Sequence, residues 1–472
     1  MSFVAKSKNI IRKVIESGDL KLADSNPKRA FYSFLIPIFF SIFCLTINGF
    51  VDSIFVAECG ALSLVAVGII QSIFIIVNAL GSGLSIAATS FLSYTMGKKG
   101  SLDELHRDIS SIILVTVLGG IISSILLILF LDPILSYLNI YGAYEYALTY
   151  GYVVFAGNIF FFSSAVFPGI LKAGGDVVKS STTLITTSLA NVVFDYFLIH
   201  VLGWGVFGAG IATVFCSFLC TLILFNCLLE NDNFNFKVSD LVKFDLGIVK
   251  KVIIYAIPVS IENGVLSIYA FIINMIFNVF TSTVDLAVFV ALFNIVKLAI
   301  IPTVAISEAN VPLSAYFYGA NKFDSIKKLV FFELKMAIGI SVIIWLVLVV
   351  LNGAIAQLYG TSLLFVGKFI VVLPVYTFIL IFMPLGNIGV SLLQSLQKYN
   401  ISLILTFFKS IILELILSAI GFFVFSSVFG IYLGLITGSI IGCVIVLAIS
   451  FRIFNKTKEK YLLESGGSVS KS

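Results

Sequence analysis

The sequence predicts an all-α polytopic membrane protein, with twelve transmembrane helices in two pseudo-symmetric six-helix bundles. Three observations carry this: composition, the placement of basic residues, and an internal repeat. Of 472 residues, 60% are hydrophobic and 11% charged, against about 45–50% and about 25% in ordinary soluble domains. Mean hydropathy is +1.13. So little charge cannot cover a soluble surface of this size, which excludes a soluble enzyme, a nucleic-acid binder and a disordered chain. At about 20–25 residues per spanning helix, roughly a dozen spans use up most of the chain.

Hydropathy places the spans, in order, at 31–57, 62–95, 109–131, 146–171, 179–201, 205–229, 251–280, 284–318, 330–351, 365–393, 400–427 and 430–454. Helices are the default because lipid tolerates only closed backbone hydrogen bonding. The ten-residue alternation of a membrane barrel is absent. The first 29 residues are polar and basic, and the apolar stretch after them is too long for a cleaved signal, so it is expected to stay as span 1.

Orientation follows from Lys and Arg. The N-terminal arm, the loops after spans 2, 4, 6, 8 and 10, and the C-terminal tail together hold 26 of the 29 basic residues. The intervening loops hold at most Lys368. By the positive-inside rule both termini and all even-numbered loops are expected on the cytoplasmic side of a plasma (inner) membrane crossed many times. A missed helix would scramble this alternation.

The repeat appears as Ile36-Pro37-Ile38 in span 1 against Ile257-Pro258-Val259 in span 7, an offset of 221. Tyr94 and Gly97 at the end of span 2 match Tyr316 and Gly319 at the end of span 8, an offset of 222. Six spans per half give both halves one orientation, the parallel kind of transporter repeat. The expected organisation is a cytoplasmic arm (1–30), a first lobe (31–229), a cytoplasmic linker (230–250), a second lobe (251–454) and a cytoplasmic tail (455–472).

Ionisable residues deep in spans are costly and so point to function. Asp52 follows Pro37 by fifteen residues in span 1 and falls in the outer half. Asp195 in span 5 lies roughly 24 Å above that helix's cytoplasmic start, and Asn191 four residues earlier shares its face. Thr213 lies roughly 12 Å below the outer end of span 6. Two carboxylates, an amide and a hydroxyl are thus expected to converge. Two acids in a dry site cannot both ionise cheaply, so the set can accept a proton near neutral pH. Its all-oxygen donors also suit a hard cation, so Na⁺ at Asp52, Asn191, Asp195 and Thr213 is the alternative occupant.

The second half has Ile273, Leu413 and Leu417 at the matching positions. Its own deep charges are Glu262, Lys297, Lys409 and Glu414. These form a candidate charge network, read either as buried salt bridges or as substrate and proton contacts. Pro37 removes a backbone bond inside span 1 and is expected to bend it. Six cysteines include no C-x-x-C pair and two histidines sit in no metal motif, so neither an enzyme nor a cofactor-dependent chemistry is expected.

The run Asn48-Gly49-Phe50-Val51-Asp52-Ser53-Ile54-Phe55-Val56-Ala57, with Pro37 before it and Leu64-Val65-Ala66-Val67-Gly68 after it, resembles the opening of the multidrug and toxic compound extrusion (MATE) family. Gly81-Ser82-Gly83-Leu84 leading to Tyr94-Thr95-Met96-Gly97 does so too. The likeness covers essentially the whole chain and points to the DinF-like prokaryotic branch of the MOP flippase superfamily. It implies a V-shaped two-lobe antiporter exporting organic cations against inward H⁺ or Na⁺. It also implies that Asp52, Asn191, Asp195 and Thr213 form the cation site and that Pro37 is the proline that bends.

The expected function is therefore cation-coupled (H⁺ or Na⁺) export of amphipathic organic compounds across the plasma membrane by alternating access. The expected partners are amphipathic, cationic small molecules and membrane lipids, without nucleic acid, and the working unit is a monomer. The main rival is a flippase of lipids or lipid-linked oligosaccharides from the same superfamily, kept open by Lys297 and Lys409 as phosphate-binding cations. An intramembrane transferase or hydrolase lacks a clustered nucleophile and base, and a channel lacks a filter motif.

Overall fold

A computed structural model describes residues 26–466 apart from Tyr141 and Thr361. Most of the N-terminal arm and the last residues of the tail lie outside this range. Among the described residues there is no strand. Ten helices are long and apolar enough to cross a membrane: Pro27–Glu58 (span 1), Ala61–Gly97 (2), Leu102–Leu138 (3), Val177–Val201 (5), Gly205–Leu229 (6), Leu246–Phe280 (7), Phe323–Val350 (9), Leu363–Ser395 (10), Tyr399–Phe425 (11) and Val428–Glu464 (12). Two bent pairs supply spans 4 and 8: Tyr144–Ala156 with Asn158–Ala173 at 50°, and Thr283–Ala299 with Ile301–Gly319 at 43°. The twelve spans of the hydropathy pattern are all present.

Several helices outrun their hydropathy limits. Span 3 starts at Leu102 because Ser101 caps it, accepting from Glu104 N at 3.2 Å, with Asp103 and Glu104 in the first turn. Acids there complement the exposed N–H groups. Span 12 continues as helix to Gly466. Lys458 near its end pairs with Asp324 at 2.8 Å.

The breaks have local causes. At Gly157 a side chain would meet Val214 of span 6 at 2.5 Å, so only glycine lets spans 4 and 6 approach. Ser124 of span 3 donates to the Phe155 carbonyl at 2.5 Å, and Asn158 donates to Ser123 Oγ at 2.7 Å. Span 10 passes Pro374 into a 3-10 turn, Phe378–Ile381. The carbonyl that Pro374 leaves without an intrahelical donor is that of Ile370. Asn352 donates to it at 2.7 Å, and Trp345 Nε1 donates to the Pro374 carbonyl at 3.0 Å. Span 1, by contrast, runs through Pro37 as one helix.

The chain falls into two compact units, one up to Ile261 and one from Glu262. In the first, span 1 packs on span 5, and span 4 packs on spans 2, 3 and 6. One of its cores joins Val56, Ile70, Leu131, Tyr150, Phe155 and Ile199. In the second, span 12 packs on spans 10 and 11, and span 8 on spans 9 and 10. Phe277 and Phe289 stack there at 4.1 Å between centroids. A row of Gly430, Gly434, Gly438 and Gly442 on one face of span 12 lets span 11 approach backbone to backbone. A side chain on Gly434 would overlap the Leu417 carbonyl oxygen. Gly434→Leu is therefore expected to destabilise the second unit by about 1–3 kcal/mol or more. The check is a lower melting temperature in detergent.

The segment after span 6 is fastened to span 3. His106 Nε2 lies 2.9 Å from the Phe234 carbonyl oxygen and Nδ1 lies 3.3 Å from Asp240 Oδ2. Ser110 Oγ donates to the Asp240 carbonyl at 2.6 Å, and Lys243 pairs with the Asp240 carboxylate at 2.9 Å. Burial pushes the Asp240 carboxyl up, but the Lys243 contact, the Lys237 N–H and His106 together hold it below its ordinary value. A depressed carboxyl adds stability that is present above the unfolded value of about 3.9 and is lost as pH falls through the lower folded value. Asp240→Asn is expected to speed proteolysis of the linker at neutral pH. The difference from wild type should close as pH falls through the depressed Asp240 range.

Candidate ion-coupling site

Spans 1 and 5 meet through polar side chains in the C-terminal halves of both helices. Asn48 Nδ2 donates to Asn191 Oδ1 at 2.9 Å. Asp52 and Asp195 stand one turn further along the same two helices and are close enough to repel each other electrostatically. Asp195 is 1% exposed and Asn191 5%, whereas Asp52 is half-buried. Asn48 Oδ1, Asp52 Oδ1 and both Asp195 carboxylate oxygens are buried without a hydrogen-bond partner, as is Asn191 Nδ2. Tyr150 of span 4, which hydrogen-bonds Gln71 of span 2, and Cys216 of span 6 lie in the electrostatic neighbourhood of the acids.

The structure thus brings three of the four residues of the expected set onto one helix–helix seam. Thr213 is half-buried on span 6, and its hydroxyl donates back to the Ala209 carbonyl at 2.8 Å. Its lone pairs remain free to accept, but the hydroxyl proton is committed to its own helix. Asn48 was not among the expected residues. The signal was available, since Asn48 precedes Asp52 by the four-residue step that separates Asn191 from Asp195. Tyr150 and Gln71 carried no such signal.

Chemically, four buried oxygens without donors on one seam can bind a proton or a hard cation. Burying a charge without a partner costs several kcal/mol, so an occupant that neutralises the acids changes the energetics of this seam more than any neutral ligand.

The second unit handles its buried charges differently. Glu262 of span 7 is 5% exposed. It accepts from Ser402 Oγ at 2.7 Å, Thr406 Oγ1 at 3.0 Å and Gln394 Nε2 at 3.4 Å. Lys409 and Glu414 approach to 3.6 Å within a π-helical turn of span 11, Phe408–Glu414. Gly442 leaves room for the Lys409 stem, and Tyr269 bonds Glu414. Lys297 is exposed at the end of the first half of span 8. The structure therefore joins Lys409 with Glu414, gives Glu262 neutral donors, and leaves Lys297 apart from both. Sequence reasoning missed the donors Ser402 and Thr406, although a polar pair four residues apart on an apolar helix was visible. It also missed Glu333 in span 9, which is fully buried with both oxygens unpartnered.

A twelve-span bundle with an internal repeat and a bare acid pair defines a membrane carrier. The family model MatE matches residues 37–197 and 258–420, and the chain belongs to the MatE family of transporters. It is a transporter and not an enzyme. The two matched segments begin at the repeat prolines, Pro37 and Pro258.

Over 352 residues the chain is 25% identical to the probable multidrug resistance protein NorM of Bacillus anthracis, covering 72% of this chain and 76% of that protein. Over 407 residues it is 25% identical to the multidrug export protein MepA of Staphylococcus haemolyticus, covering 84% and 85%. A crystal structure of MATE in the straight conformation matches with a TM-score of 0.87 at 22% identity, covering 93% of this chain and 99% of that one. This last likeness speaks to the fold.

Proposed function

We propose that the chain is a cation-coupled antiporter that exports amphipathic, cationic organic compounds by alternating access across the plasma membrane, driven by inward H⁺ or Na⁺ at Asp52 and Asp195. The observation that carries this reading is the seam of unpartnered buried carboxylate oxygens on spans 1 and 5 in a chain of the MatE family. The multidrug names of the similar bacterial proteins support the substrate class. A coupling ion must bind one conformation better than the other. Ion entry neutralises the acid pair, favours the conformation in which the pair is buried, and releases substrate outward. Asn48 and Asn191 hold the two helices in register beneath the acids. Pro37 is proposed as the point at which span 1 bends when that charge changes.

The flippase reading needs Lys297 and Lys409 to act together on phosphate. Lys409 is committed to Glu414 and Lys297 stands alone, so no paired cation favours it.

The test is transport of ethidium in proteoliposomes with the pH gradient and the Na⁺ gradient imposed separately. One gradient is expected to drive transport, and Asp52→Asn and Asp195→Asn should each cut the driven component to below about a tenth of wild type. Driven transport that survives both substitutions would sink the assignment.

Orientation is part of the proposal: both termini and the even-numbered loops face the cytoplasm. In a cysteine-free background, a cysteine at Ser101 should resist an impermeant thiol reagent added to whole cells, and one at Ser362 should react. The reverse pattern would invert the topology.

A further inference from the structure

Above the acid pair, spans 1 and 5 meet once more. Glu58 Oε2 lies 3.2 Å from His200 Nε2. The seam is therefore a ladder of three rungs in register: Asn48 with Asn191, Asp52 with Asp195, and Glu58 with His200. The top rung lies five or six residues beyond the acids, roughly 7.5–9 Å at 1.5 Å per residue. Exposure rises along it: the Asp195 residue is 1% exposed, the His200 side chain 29% and the Glu58 side chain 56%.

Two features aim His200 at this position. The last turn of span 5 is π-helical, Phe197–Val201, which re-registers the helix between Asp195 and His200. The imidazole is also held by rings, edge-on to Phe55 at 5.5 Å and tilted on Tyr196 at 5.3 Å. The charged surroundings are sparse. Span 6 carries no charged residue, and span 2 carries none before Lys98 at its cytoplasmic end. Span 4 contributes Glu145 in its outer first turn and Lys172 in its cytoplasmic last turn. On spans 1 and 5 the ionisable groups in the outer third are Asp52, Glu58, Cys59, Asp195, Tyr196 and His200 itself. The ring thus faces acids with no competing cation beside it, and histidine is the side chain suited to exchanging protons near neutral pH.

We propose that Glu58 and His200 form an outer proton-exchange station that passes protons between the external water and the Asp52/Asp195 pair. The proposal rests on the proton-coupled form of the function above. In the inward step, external water protonates the imidazole and Glu58 steadies the imidazolium. The Nε2–H bond then breaks, the proton crosses the gap through water, and an O–H bond forms on Asp195. The neutral imidazole is left to take the next proton from outside. Direct transfer is excluded by the roughly 7.5 Å rise between the rungs. The pair acts on the coupling ion through the acids, so these are positioning and relay residues, not a second binding site for substrate.

The experiment is pH-driven ethidium transport in proteoliposomes held in dilute, poorly penetrating external buffer. His200→Ala is expected to slow driven transport on the order of tenfold, most strongly at alkaline external pH, and external imidazole should restore the rate. Glu58→Gln should shift the same pH profile in the same direction, and melting temperatures should match wild type. If wild type ignores the pH gradient, proton coupling falls and the station falls with it. If wild type responds but His200→Ala and Glu58→Gln keep its rate at every external pH, the station is overturned while the acid pair stands. A slow His200→Ala protein that imidazole fails to rescue shows a packing role only, which also overturns it.

Discussion

The structure depends on one constraint: inside an apolar helix bundle, a polar atom is either satisfied by protein or stands ready for something that is not protein. Water cannot repair an omission there, and an unmet group costs several kcal/mol. The fold obeys this closely where helices break. The Ile370 carbonyl freed by Pro374 is met by Asn352, and the carbonyl of Pro374 itself by Trp345. At the Gly157 break, Ser124 takes the carbonyl of Phe155. Against that thrift, the bare oxygens of Asp52 and Asp195 are an exception that packing alone does not require.

The two repeats put equivalent helix seams to different ends. Glu262 lies four residues after Pro258, and the residue four after Pro37 is Ser41. At that equivalent place the first unit has a serine bonded to its own helix at Ile38, and the second an acid bonded by three donors from spans 10 and 11. Further out the roles reverse. The first unit carries Asp52 where the second carries Ile273, and Asp195 where the second carries Leu417. Each unit keeps an acid between its first and fifth helices, but at different depths and with opposite degrees of satisfaction. A carboxylate with three donors is tied into its packing. One with none is free to change its charge.

Much of this was legible in the sequence because it depends on counting. Twelve spans and the repeat follow from hydropathy and from matched residues, and the two segments of the family match begin at the same two prolines. Asp52, Asn191 and Asp195 were legible because a hydrocarbon span rarely carries a charge it does not use, and because a four-residue step fixes a common face. Thr213 and Lys297 were harder. Helical rise gives depth but not rotation, and each turned out to point its polar group elsewhere, Thr213 to Ala209 and Lys297 to an exposed face. Ser402 and Thr406 were hidden by a different ambiguity. Serine and threonine in spans usually bond their own helix, as Thr187 and Ser450 do here, so type and position do not reveal which ones reach across.

Under the proposed coupling, the acid pair is the one feature of the seam whose energetics match what a carrier needs. Moving a two-state equilibrium from 1:99 to 99:1 takes about 5.5 kcal/mol of differential affinity. The Asn48–Asn191 hydrogen bond is a neutral contact worth about 1 kcal/mol, and a contact as exposed as Glu58–His200 contributes at most about 1 kcal/mol whatever its charge. Making and breaking both would leave the equilibrium short. A carboxylate that is solvated in one conformation and buried bare in the other differs by several kcal/mol, and neutralising it with an ion cancels that difference. On the proposed reading, the coupling energy resides in what Asp52 and Asp195 lack. The asparagines below and the Glu58–His200 pair above can set register and access, but they cannot supply the force.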